Sequence, residues 1–211
     1  MRRFLLLVPL AILLVGCGSK SESNGASELK GTTMDCKIGG DESKAELANL
    51  DDGKTHQIVV DTSKGSFTFE LATKISPCTT ASIAGLVQKG FYDGLTFHRI
   101  VPGFVIQGGD PAGDGTGGPG YSTVDAPPQD TKYVKGLVAM AKAGNEPAGT
   151  SGSQFFVVTA DTGLPPDYAV LGRVTDGLDV VETIGELGDA NDPSGAPTER
   201  VEIKSMQLEA R

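Results

Sequence analysis

Histidine is nearly absent, and positive charge never gathers into a run. His56 and His98 are the only two histidines in 211 residues, and neither stands at ligand spacing from a cysteine. A multi-histidine metal centre is therefore excluded. The chain has no Gly-Lys-Ser/Thr phosphate loop and no Gly-x-Ser-x-Gly nucleophile elbow. Gly113, Gly115 and Gly118 match Gly-x-Gly-x-x-Gly, but Pro119 and Gly120 follow where a dinucleotide fingerprint must open a helix. The formal net charge is -9. Phosphates would repel such a chain, which argues against nucleic acid as a partner. Asp110, Asp114 and Asp125 are scattered and read as solvated loop carboxylates. No metal and no cofactor is expected.

Long apolar runs are also missing, with one exception at the start. Phe4 to Val15 is apolar and follows Arg2 and Arg3. It falls short of the roughly 20 residues that cross a bilayer. The layout is that of a signal peptide, expected over residues 1–16. "LVGC" (Leu14–Cys17) is similar to the bacterial lipobox, in which cleavage leaves a cysteine whose sulfur carries diacylglycerol. The alternative is an ordinary secretory signal whose Cys17 is lost. A second acyl chain, palmitate for example, on the new amino terminus would complete a stable two-chain anchor. Residues 17–54 read as a polar tether that becomes partly ordered, with a weak helical patch in "SKAELANL". The expected location is extracytoplasmic, lipid-anchored to a bacterial membrane. In that oxidising setting Cys36 and Cys78 are expected to pair, with a metal pair or a catalytic thiol as the alternatives.

What the chain has in quantity is glycine and short alternating stretches. Its 29 glycines and 12 prolines imply many turns and few long helices. The domain is expected over residues 55–211. "HQIVVDTSKGSFTFEL" reads as two strands about a Ser-Lys-Gly turn. Ser76 and Pro77 read as an N-cap and first helical residue, and Gly90 as the helix end. "GLDVVETIGE" reads as a second helix. About eight short strands and two helices result, which suggests a mainly β, closed barrel or sandwich with the helices plugging its ends.

One stretch is unusual. "FHRIVPGFVIQGGD" (Phe97–Asp110) sets Arg99 among six apolar residues. Arginine keeps its charge and offers fixed, directional donors. Phe104, Val105, Phe155, Phe156 and Leu164 lie near loops, with Gln107 and Gln154 as neutral amides. Such a surface would hold an apolar ring beside a carbonyl group. The plain alternative is an arginine that snorkels to solvent beside core strands.

"FHRIVPGFVIQGGD", "GTGG", "GSQFFVVTA" and "YAVLGRV", in that order, closely resemble the cyclophilin family of peptidyl-prolyl cis/trans isomerases. The resemblance spans roughly His56 to Leu208. It implies a closed eight-stranded antiparallel barrel capped by two helices. It also implies isomerisation of X-Pro bonds in proline-containing polypeptides during folding. Arg99 is then the catalytic guanidinium, with Phe104 and Gln107 beside it. Val105, Phe156 and Leu164 line a proline pocket, and Gly115, Ala141, Lys142, Ala143 and Gln154 border the groove. Tyr168 stands where many members have a pocket histidine, Lys142 where many have asparagine, and Val105 where methionine is common. Gly163 takes the place of a tryptophan that helps eukaryotic members bind cyclosporin, so weak cyclosporin binding is expected. The chain is expected to be a monomer. A non-catalytic peptide-binding module or holdase using the same groove is the rival expectation.

Overall fold

In the computed structural model residues 35–211 are described. The expected signal peptide, Cys17 and the first part of the tether lie outside them. In chain order the elements are β1 (Gly39–Gly40), a 3₁₀ turn (Glu42–Lys44), β2 (His56–Thr62), β3 (Gly65–Leu71) and α1 (Pro77–Gln88). Then come β4 (Arg99–Val101), β5 (Val105–Gly108), β6 (Tyr121–Val124), β7 (Leu137–Met140), β8 (Thr150–Ser151) and β9 (Phe155–Val158). The chain ends with β10 (Val170–Asp176), α2 (Leu178–Gly185) and β11 (Ile203–Ala210). The tether's helical patch is no more than the 3₁₀ turn.

Eight strands form one curled antiparallel sheet in the order β11-β2-β3-β10-β7-β9-β5-β4, and β1-β6-β8 form a small second sheet. Alternation along β2 and β3 buries Ile58, Val60, Phe67, Phe69 and Leu71 inside the curl. The expected closed barrel is corrected to a curled sheet with an open seam, because β11 and β4 form no ladder. The rims meet only in the segment ahead of β4, where the bridge Thr96↔Glu202 is flanked by hydrogen bonds from Gly94 and Phe97 N–H to the Ile203 and Val201 carbonyls and from Ile203 N–H to the Leu95 carbonyl. The physical reason lies at β4. Its Ile100 N–H donates to the Gly195 carbonyl at 2.7 Å, so the 188–197 loop occupies the edge that closure would need.

Helix α1 is buried nearly all round, from Cys78 to Val87. A single apolar stripe would not require this. The segment ahead of β2 covers the helix's other side. Ala48 N–H donates to the Ala81 carbonyl at 2.9 Å, and a Cβ on Gly85 would stand 2.4 Å from the Glu46 carbonyl oxygen. Glycine in mid-helix is what permits that approach. Cys36 and Cys78 form a disulfide with Cα atoms 5.5 Å apart. At the helix end the N–H groups of Gly90 and Phe91 return to the carbonyls of Val87 and Leu86, a Schellman closure with Gly90 at φ +68°.

Two loop aspartates are not solvated as expected. Ser76 makes no side-chain cap, and its hydroxyl is buried without a partner among the described residues. Asp125 does the capping instead, accepting from Thr79 N–H at 2.6 Å. Asp110 is 1% exposed and anchors the glycine-rich loop after β5. It accepts from the N–H groups of Ala112 (2.8 Å), Asp114 (3.0 Å) and Gly115 (2.5 Å). Burial pushes its carboxyl up, but these donors, with His98 nearby, outweigh that and hold it below the ordinary value of 3.8.

The sign of the resulting pH effect is fixed. A depressed folded pKa adds stability above the ordinary carboxylate value, and that stability is lost as pH falls through the folded value. Asp110→Asn is expected to cost about 1–3 kcal/mol in urea unfolding near neutrality. The gap between variant and wild type should close as pH drops below 3.8. A gap that is independent of pH would show that the charge does not anchor the loop.

Candidate functional site

Strand register explains why a charge sits inside an apolar stretch. Directly paired residues share one face of a sheet. Arg99 pairs with Gln107, Gln107 with Phe156, and Phe156 with Ala139, so one row crosses β4, β5, β9 and β7. The adjacent row is Ile100, Ile106, Val157 and Val138, each 0% exposed in the core. Arg99 therefore belongs to the outer face, and the apolar run around it is two faces read in one line.

That outer face is apolar too, but it is a separate cluster. Val105, Tyr133, Ala139, Phe156 and Val158 are buried there, with Phe104, Leu164 and Tyr168 packed against them. Phe104 is carried by the Pro102-Gly103 turn of the β4–β5 hairpin. The rings of Phe156 and Tyr168 meet edge to face at 5.5 Å, and those of Tyr133 and Tyr168 at 5.9 Å. Tyr133 also clamps the backbone of the 163–169 loop. Its hydroxyl donates to the Tyr168 carbonyl at 2.6 Å and accepts from Tyr168 N–H at 3.0 Å. A cavity of about 250 Å³ opens over this floor, lined by Arg99, Phe104, Val105, Gln107, Ala141, Lys142, Phe156, Leu164 and Tyr168.

A chain of amides sets the direction of the arginine's donors. Gln154 Nε2 donates to the carbonyls of Gly115 (3.0 Å) and Gly117 (2.9 Å). Its Oε1 is thereby turned to accept from Gln107 Nε2 at 3.0 Å. Gln107 Oε1 is left facing Arg99, whose Nη1 donates to it at 3.4 Å. Arg99 takes part in no ion pair among the described residues, so most of its donors remain for a ligand. Burial lowers the pKa of His98, with Asp110 nearby opposing it and Arg99 reinforcing it, so this imidazole is neutral at pH 7. Lys142, the other cation lining this cavity, is paired with Asp167, so among the described residues Arg99 is the cation here that no carboxylate neutralises.

A second cavity of about 690 Å³ continues from the first and shares Gln107, Ala141 and Lys142 with it. Gly115, Ala143 and Gln154 line this larger space and not the smaller one. The expected site residues thus lie along one continuous groove. Three partners were not legible in the sequence: Tyr133, Asp167 and Glu146. The Lys142 side chain is only 3% exposed. It turns in to Asp167 at 2.7 Å, to the Glu146 carbonyl at 3.0 Å, and over the Tyr168 ring at 5.7 Å. No spacing rule links 142 to 167, because the contact depends on how two loops fold back beside β7.

Known proteins resemble this chain in sequence and in fold. The family model for "Cyclophilin type peptidyl-prolyl cis-trans isomerase/CLD" matches residues 57–208. The "Probable peptidyl-prolyl cis-trans isomerase B" of Mycobacterium tuberculosis (strain CDC 1551 / Oshkosh) is 39% identical over 165 residues, covering 70% of this chain and 53% of that protein. This chain thus spans about half the length of its mycobacterial relatives. "Peptidyl-prolyl cis-trans isomerase B" of Bacillus subtilis is 44% identical over 119 residues, covering 55% of this chain and 80% of that protein. A crystal structure of a Cryptosporidium parvum cyclophilin type peptidyl-prolyl cis-trans isomerase superposes with a TM-score of 0.66 at 28% identity, covering 74% of this chain and 99% of that one. With its family match spanning both the curled sheet and the arginine-bearing groove, the chain belongs to the cyclophilin-type peptidyl-prolyl cis-trans isomerase family.

Proposed function

We propose that this protein is a peptidyl-prolyl cis/trans isomerase acting on proline-containing polypeptides outside the cytoplasm. The observation that carries this reading is the single outer row of Arg99, Gln107 and Phe156 beside the 250 Å³ cavity. The family relationship and the relatives' names support it, as does the solved relative studied "in the presence of dipeptide ala-pro".

The chemistry needs no nucleophile. Rotation of a peptide bond faces a barrier of about 18–20 kcal/mol, most of it lost amide resonance. In the twisted state the prolyl nitrogen regains its lone pair and can accept a hydrogen bond. A donor aimed there stabilises the transition state more than either planar state. The aromatic floor of Phe104, Phe156 and Tyr168 would seat the proline ring. Arg99 would donate to the nitrogen, and Gln107 would hold the guanidinium in line. Ala141 and Lys142 would meet the backbone beside the prolyl residue.

Location is part of the same reading. Cleavage before Cys17 and its lipidation would anchor the domain to a bacterial membrane. Gly163 is exposed and offers no ring, which supports weak cyclosporin binding.

Arg99→Ala is expected to lower kcat/KM on an Ala-X-Pro-Phe peptide by about 10²–10³-fold, the loss typical of one transition-state donor. Unfolding by urea should be unchanged. Arg99→Lys, which keeps charge but not the planar fork, should fall between. A wild-type protein that binds the peptide without speeding its isomerisation would make the groove a binding module only. Cys17→Ser should move the protein from the membrane to the soluble fraction. Unchanged membrane association would refute the lipid anchor.

A further inference from the structure

The family match begins at residue 57, yet part of the groove is built by residues ahead of it. Gly39 and Gly40 line the 690 Å³ cavity opposite Ala141, Lys142 and Gln154. They belong to a strap, residues 36–50, laid across α1 and the edge of β6.

Several independent contacts hold the strap there. Gly39 pairs with Ser122 and Gly40 with Tyr121. Asp41 N–H donates to the Gly120 carbonyl at 3.1 Å. The Tyr121 hydroxyl accepts from Glu46 N–H at 3.1 Å, and Ser82 Oγ lies 2.9 Å from the same hydroxyl. Ile38, Ala45, Ala48 and Leu50 pack on the main core. Cys36, at the strap's outer end, is bonded to Cys78 in α1.

The wall facing the cavity is bare backbone. A Cβ on Gly39 would stand 2.7 Å from Ser122 Oγ, and one on Gly40 would stand 2.8 Å from the Gly120 carbonyl oxygen. Gly40, at φ +77° and against backbone, needs glycine to lie so close to β6, whereas a side chain at Gly39 would have to turn the Ser122 hydroxyl aside. β1 is also the edge of its sheet. With Asp41 N–H bonded to Gly120, antiparallel alternation turns the N–H and C=O of Gly40 away from β6. An edge with unused backbone groups is a template for an extended peptide.

We propose that the strap is a specificity element of the groove. An extended polypeptide segment flanking the prolyl residue lies in the larger cavity against Gly39 and Gly40, and the Cys36–Cys78 bond keeps that wall in place. The occupant follows from continuity. The larger cavity shares Gln107, Ala141 and Lys142 with the smaller one, so a chain whose proline fills the small cavity has the large one directly in its path. This inference rests on the peptide-groove part of the proposed function, and not on catalysis.

The test is calorimetric binding of two ligands to the full chain: the dipeptide Ala-Pro, and a long unstructured peptide with one central Ala-Pro. Wild type should bind the long peptide more tightly. Cys36→Ser/Cys78→Ser should lose about tenfold in affinity for the long peptide and nothing for the dipeptide. Tyr121→Phe removes the hydroxyl that clasps Glu46 and leaves the disulfide intact. It should shift the same ratio in the same direction, and it carries the comparison should the double variant fail to fold. Equal affinity of wild type for both ligands would overturn the proposal. So would variants that leave the ratio unchanged, including by weakening both ligands together. A wild type that binds both but accelerates no isomerisation would contradict the catalytic reading and leave this one standing.

Discussion

Everything at this site depends on holding one permanent cation at the rim of an apolar pocket without neutralising it. A carboxylate partner would satisfy the guanidinium and engage the donors that a ligand needs. Full exposure would surround it with water and weaken any directed bond. The fold takes a third course. A neutral amide, Gln107, sits at hydrogen-bonding distance, and its orientation is dictated by Gln154, which the glycine loop holds in turn. That loop folds around the buried Asp110 carboxylate. The negative charge that shapes the region is thus spent on backbone N–H groups, one step removed from Arg99.

Much of this was legible in the sequence, and the reasons differ by part. The β2–β3 hairpin declares itself through alternation, since Phe67, Phe69 and Leu71 have only one buried face to occupy. The first helix announces its boundaries through Pro77 and Gly90. The arginine stretch was ambiguous because a two-sided strand, apolar on both faces, shows no alternation. Register resolves it, and register is set by β9 and β7, more than thirty residues downstream. Asp110 and Asp125 were misread for a related reason. A carboxylate in a polar loop looks solvated until the N–H groups that converge on it are placed.

The seam was misjudged through a different physical effect. Eight strands and two helices suggest closure, but strand count does not say who satisfies the last edge. Here the loop carrying Gly188 and Gly195 packs on β4 closely enough that a Cβ on Gly188 would stand 2.4 Å from the Ile100 carbonyl oxygen. The open edge is covered by that loop, not paired with β11. The same distinction separates the strap from an ordinary tether. Residues 36–50 mix polar and apolar side chains without a clear period, and their role appears only when α1 is seen to need a second cover and β6 a partner.

The central claim is that the arginine face speeds rotation of the prolyl bond rather than merely gripping a peptide. Exchange NMR on an Ala-Pro-containing peptide with a catalytic amount of the full chain tests it most directly. Uncatalysed exchange takes tens to hundreds of seconds. The account predicts cis–trans exchange peaks on the sub-second scale, their rate rising in proportion to protein concentration. Peptide resonances that shift on binding while cis and trans forms still exchange at the uncatalysed rate would contradict it.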